Sequence, residues 1–104
     1  METVAFFVIG ALIANSLPHI INGASGRRFP TPFARPPGRG PSSPIVNAAW
    51  GIANLYAAAA LYHLGVEVDR AAGERIPMGV VAAGFSATLI ALAWWFGRAD
   101  RPDA

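Results

Sequence analysis

The chain carries three uncharged apolar runs, residues 4–21, 45–66 and 77–96, and these leave few folds open. Each is about as long as the roughly 20 residues an α-helix needs to cross the hydrocarbon core of a bilayer. Lipid offers no water to pair with peptide groups, so a spanning segment must satisfy its own N–H and C=O groups as a helix. Composition agrees: 13% of the 104 residues are charged and 54% hydrophobic, where a soluble domain has about 25% charged. Mean hydropathy is +0.41. The reading is an all-α integral membrane bundle forming one domain over 1–104. Its three transmembrane helices fall at about 3–22, 45–65 and 77–97, separated by loops at 23–44 and 66–76.

Helix signals sit at the run starts. Ser43 followed by Pro44 puts a capping hydroxyl before a proline suited to the first helical position, and Pro77 can play the same first-turn role. A cleavable signal sequence is the alternative reading of the first run. Glu2 and the lack of arginine before the run speak against it.

Orientation comes from the arginines, the only basic residues besides the two histidines. Segment 22–44 holds Arg27, Arg28, Arg35 and Arg39 with no acid, whereas 67–76 holds Arg70 and Arg75 against Glu67, Asp69 and Glu74. The positive-inside rule places the first loop and the C-terminal tail, with Arg98 and Arg101, in the cytoplasm, and the N-terminus outside. The location expected is a bacterial cytoplasmic membrane. Trp94, Trp95 and Phe96 read as an aromatic anchor at the inner interface.

Absences narrow the chemistry. No cysteine and no lysine are present, which excludes disulfides, thiolate metal sites, cysteine nucleophiles and Schiff bases. His19 and His63 fall at opposite membrane depths, so they cannot share a metal or a haem iron within one chain. No catalytic residue, metal, cofactor or nucleic-acid partner is expected.

The polar residues inside the spans fall into stripes. Asn15, His19 and Asn22 lie within about 60° of one another on a helix, and Asn47, Gly51, Asn54 and Ala58 form a second stripe flanked by Trp50. Amides facing lipid are unfavourable, so the stripes should face each other or a neighbouring subunit. Interhelical hydrogen bonding and a ligand site are both open readings. Pro18 removes a backbone donor within the first stripe, and the helix is expected to kink or end near Leu17, leaving 19–22 as a broken turn. Gly79, Ala83, Ala87 and Ala91 form a row of small residues for close helix approach. Three helices cannot bury all these faces among themselves, so oligomerisation or docking on a larger membrane partner is expected.

The connector 27–44, RRFPTPFARPPGRGPSSP, is long for a link between spans. Its six prolines from Pro30 to Pro44 lower the entropy lost on ordering. Phe29 and Phe33 stand where a disordered linker would be polar. It reads as an ordered, extended segment whose phenylalanines insert at the interface while its arginines meet headgroups or ligand phosphates. Arginine's planar fork binds phosphate oxygens in pairs. The candidate ligand-binding residues are therefore Asn15, His19, Asn22, Arg27, Arg28, Arg35, Arg39, Asn47, Trp50 and Asn54.

Three strings, N-S-L-P-H-I-I-N-G (15–23), F-P-T-P-F-A-R-P-P-G-R-G-P-S-S-P (29–44) and V-N-A-A-W-G-I-A-N-L (46–55), resemble a family of small, functionally uncharacterised bacterial three-helix membrane proteins. The resemblance covers about the first half of the chain and implies no activity, cofactor or substrate. Three functions remain in play. The first is a binding or assembly protein, homo-oligomeric or an accessory subunit, whose arginine loop engages anionic lipid or a phosphorylated lipid-like ligand. The second is an oligomeric channel or small transporter lined by the His19 and asparagine stripe. The third is a lipid-modifying membrane enzyme with His19 as general base.

Overall fold

A computed structural model describes residues 1–98; Arg101 lies outside them. It contains three long helices, α1 (Thr3–Ala24), α2 (Pro44–Ala71) and α3 (Met78–Arg98), with two short strands, β1 (Phe29–Pro30) and β2 (Pro41–Ser42), between α1 and α2. All three helices are long and apolar enough to cross a membrane. α1 is the central helix and packs against both α2 and α3.

Local chemistry explains the ends. Ser43 caps α2, its hydroxyl accepting from the Val46 N–H at 3.2 Å, with Pro44 at the first helical position. α1 closes on a reversed turn in which Arg27 N–H donates to the Asn22 carbonyl (2.8 Å) and Gly26 N–H to that of Gly23 (3.1 Å). Gly26 sits at φ +73°, where a side chain would be strained. α2 ends beyond the expected boundary near residue 65. Glu67, Asp69 and Arg70 end an apolar run, yet nothing in them breaks a helix, and at 1.5 Å per residue α2 is about 42 Å long. That length exceeds the roughly 30 Å of a hydrocarbon layer. Asp69, buried on this extension, accepts from the Met1 ammonium.

The helix core is Phe6, Ile9, Ala58 and Val81, with Leu12, Ile13, Leu61 and Val80 around it. Glycines set how close the helices come. A Cβ on Gly10 would overlap the Val81 carbonyl, and one on Gly84 would overlap the carbonyl of Phe7. α1 and α3 therefore meet backbone to backbone through a reciprocal glycine pair. The expected row Gly79, Ala83, Ala87 and Ala91 does not make this contact; all four residues are exposed. Only the lack of any Cβ allows a carbonyl so close, and α3 turns its Val81 and Gly84 face inward accordingly.

Pro18 neither ends nor interrupts α1, which runs through it to Ala24. A proline inside a helix forfeits one backbone hydrogen bond, and a helix packed between two neighbours tolerates that loss. Residues 19–22 are thus helical, which keeps His19 and Asn22 on the face that carries Asn15.

The connector is also more folded than an extended segment. β1 and β2 pair antiparallel, Phe29 opposite Ser42 and Pro30 opposite Pro41. The chain between them turns back through Gly38 N–H to Thr31 carbonyl (2.9 Å) and Gly40 N–H to Pro36 carbonyl (2.8 Å). Thr31 and Ser42, both buried, share a hydroxyl hydrogen bond of 2.6 Å.

Candidate functional site

Two amide contacts stitch α1 to α2. Asn15 Nδ2 donates to Asn54 Oδ1 at 3.1 Å, and His19 Nδ1 lies 2.8 Å from Asn47 Oδ1. The two stripes therefore face one another within the chain. Gly51, between the two asparagines of α2, lets Ser16 and Ile20 come close enough for both contacts to form.

Asn47 is the centre of the site. It is fully buried, and its Nδ2 donates to the carbonyls of Phe29 (2.8 Å), Ser42 (3.2 Å) and Ser43 (3.1 Å). One side chain thus ties both hairpin strands and the start of α2 to the histidine of α1. A buried peptide carbonyl without a partner costs about 1–3 kcal/mol, so this asparagine is one of the contacts that hold the hairpin on the bundle.

Aromatic residues complete the seal. Phe29 packs edge-on against His19 at 5.5 Å and tilted against Phe96 at 4.5 Å between ring centroids. Phe33 meets Trp50 at 5.0 Å, and Trp95 Nε1 donates to the Gly38 carbonyl at 3.3 Å. Trp95 and Phe96, read from the sequence as an interfacial anchor, thus pack on the hairpin. Phe29 is turned toward the bundle, while Phe33 remains exposed.

Beneath the hairpin lies a cavity of about 200 Å³ lined by Asn15, His19, Thr31, Trp50, Trp95 and Phe96. An apolar groove of about 340 Å³, lined by Leu17, Ile21, Leu89 and others, adjoins it and shares Leu92 and Phe96 with it.

The arginines form the rim. Arg27, Arg28, Arg35, Arg39 and Arg98 are all exposed. Arg27 Nε donates to Asn22 Oδ1 at 3.0 Å, and Asn22 Nδ2 is spent on the Pro18 carbonyl at 2.7 Å. Arg39 stacks over Trp95 at 5.2 Å and Arg98 over Trp94 at 4.5 Å. Arg28 and Arg35 have no partner among the described residues. Glu2, Glu67, Asp69 and Glu74, the carboxylates among the described residues, all lie at the opposite end of the bundle, where Met1 meets Asp69.

Of the candidates, then, Asn15, His19 and Trp50 line the cavity, and Asn47 and Asn54 bond His19 and Asn15 from α2. Arg39 stands at its edge through Trp95, Asn22 serves Arg27, and Arg28 and Arg35 stand apart on the rim. Thr31, Ser42, Phe29, Trp95 and Phe96 belong to the site without having been singled out as ligand-binding. The one signal for Thr31 was a lone hydroxyl between two prolines. The chain matches no family model, no curated protein and no solved structure.

Proposed function

We propose that the chain is a three-span protein of the bacterial cytoplasmic membrane, N-terminus outside and C-terminus inside, that binds anionic lipid through the arginine rim. It acts as a homo-oligomer or as an accessory subunit of a larger membrane complex. The observation that carries this reading is the segregation of charge: five described arginines, and no described carboxylate, occupy the end where Asn47 fixes the hairpin to the bundle. A fastened hairpin loses little entropy on meeting a headgroup, so more of each contact's attraction appears as affinity. The exposed Gly79, Ala83, Ala87 and Ala91 row and the exposed Ile90 on α3 support association with a further helix.

Binding is favoured over conduction because Asn15, Asn54, His19 and Asn47 spend hydrogen bonds on one another instead of lining an open path. The test is lipid retention by the detergent-solubilised protein. Each arginine near an anionic surface contributes about 1 kcal/mol. Arg35→Gln combined with Arg39→Gln should therefore weaken anionic-lipid binding about 30-fold at low salt. Unchanged binding would remove the rim from the function.

A further inference from the structure

The hydrogen bonds around the cavity fix which polar atoms remain to face a ligand. Asn47 points one amide atom at three carbonyl oxygens, and only Nδ2 can donate to them. Its Oδ1 therefore faces His19, so His19 Nδ1 carries a proton, and in the neutral form of the ring the lone pair is on Nε2. Asn54 repeats the logic. Its Nδ2 donates to the Trp50 carbonyl at 2.8 Å, which leaves Oδ1 to accept from Asn15 Nδ2 and leaves Asn15 Oδ1 over.

His19 Nε2 and Asn15 Oδ1 make no hydrogen bond among the described residues, where the two side chains bond through His19 Nδ1 and Asn15 Nδ2. Both residues line the cavity. Trp50 Nε1 is unpartnered too, yet it is sealed from the surface and does not count among the groups a ligand meets. The cavity is thus lined by two residues that each keep an acceptor uncommitted among the described residues, beside the aromatic walls of Trp50, Trp95 and Phe96.

Two acceptors call for donors. An ammonium would supply them, but it would sit beside Arg39 on the Trp95 wall with no described carboxylate at that end to compensate. Hydroxyl groups supply donors without charge. We infer that the cavity takes the hydroxyls of a glycerol-type phospholipid headgroup, whose phosphate meets Arg39 at the rim. This rests on the anionic-lipid reading and names its headgroup. A lipid is favoured over a soluble phosphate ester because the apolar groove shares Leu92 and Phe96 with the cavity.

The experiment compares three lipids on the full chain in detergent by native mass spectrometry. Phosphatidylglycerol and phosphatidylmethanol carry the same phosphate charge, and only the first has free headgroup hydroxyls; phosphatidylethanolamine carries an ammonium. The expected order is phosphatidylglycerol about tenfold tighter than phosphatidylmethanol, with phosphatidylethanolamine weakest. In Asn15→Ala the preference between the first two should vanish. The comparison on the unaltered protein decides the matter even if that variant does not fold. Equal binding of phosphatidylglycerol and phosphatidylmethanol, both above phosphatidylethanolamine, would overturn the headgroup inference and leave the arginine rim standing. Equal binding of all three would overturn both. Displacement of phosphatidylglycerol by an equal concentration of soluble glycerol phosphate would overturn the lipid assignment.

Discussion

His19 Nδ1 and Asn47 Oδ1 lie 2.8 Å apart, and this buried contact joins α1 to the first turn of α2 where the hairpin is also fastened. Asn47 donates from its other amide atom to carbonyls of both strands and of Ser43, so helix packing and hairpin docking share one side chain. Loss of either disturbs the other.

Replacement of Asn47 by Asp tests that sharing at nearly constant shape. An ionised carboxylate accepts only, so three carbonyls would face an acceptor. Asn47→Asp should lower stability by about 2–3 kcal/mol and expose residues 31–40 to protease in detergent. A variant with the wild-type melting temperature and a protected hairpin would show that Asn47 does not hold it.

The Asn15 and Asn54 contact should be worth less than its burial implies. Hydrogen bonds between membrane helices average about 0.6 kcal/mol, because the separated helices find other partners. A double-mutant cycle with Asn15→Ala and Asn54→Ala should return a coupling near that value, read from unfolding in mixed micelles. A coupling of zero would mean the two amides act independently.

The reciprocal glycines set the approach of α3. Gly10→Ala and Gly84→Ala each place a methyl on a facing carbonyl, and overpacking of this kind costs about 1–3 kcal/mol. Gly79→Ala, with nothing within 4 Å, should leave the melting temperature of the purified monomer unchanged or slightly raised. Equal effects at all three positions would contradict the packing described.

The three helices and the start of α2 were legible in the sequence because their signals are local: uncharged runs, Ser43 and Pro44. The amide stripes themselves were legible from helical period, and their avoidance of lipid left them facing each other or a neighbouring subunit; the structure has them face each other. The role of Asn47 was not legible, because its partners are backbone carbonyls of a hairpin whose register no local pattern announces. The helical end of α2 at Ala71 was not legible, because charge marks where an apolar run stops and a helix does not have to stop there. The broken turn expected at 19–22 is absent for a related reason: the cost of Pro18 is fixed locally, while the packing that offsets it comes from α2 and α3. The Gly10 and Gly84 contact was not legible, because spacing alone cannot say which small residues of α3 meet a carbonyl of α1.

Everything functional here depends on the arginine end and the opposite end lying on different sides of a bilayer. The chain has no cysteine, so single replacements report their positions without background. Arg28→Cys at the rim and Ala72→Cys at the far end of α2, both exposed, should be labelled in spheroplasts with a membrane-impermeant maleimide. The Ala72→Cys protein should react in intact spheroplasts and the Arg28→Cys protein only after the membrane is opened. Reaction of both from the same side, or of Arg28→Cys from outside, would contradict the membrane arrangement on which the lipid-binding rim is built.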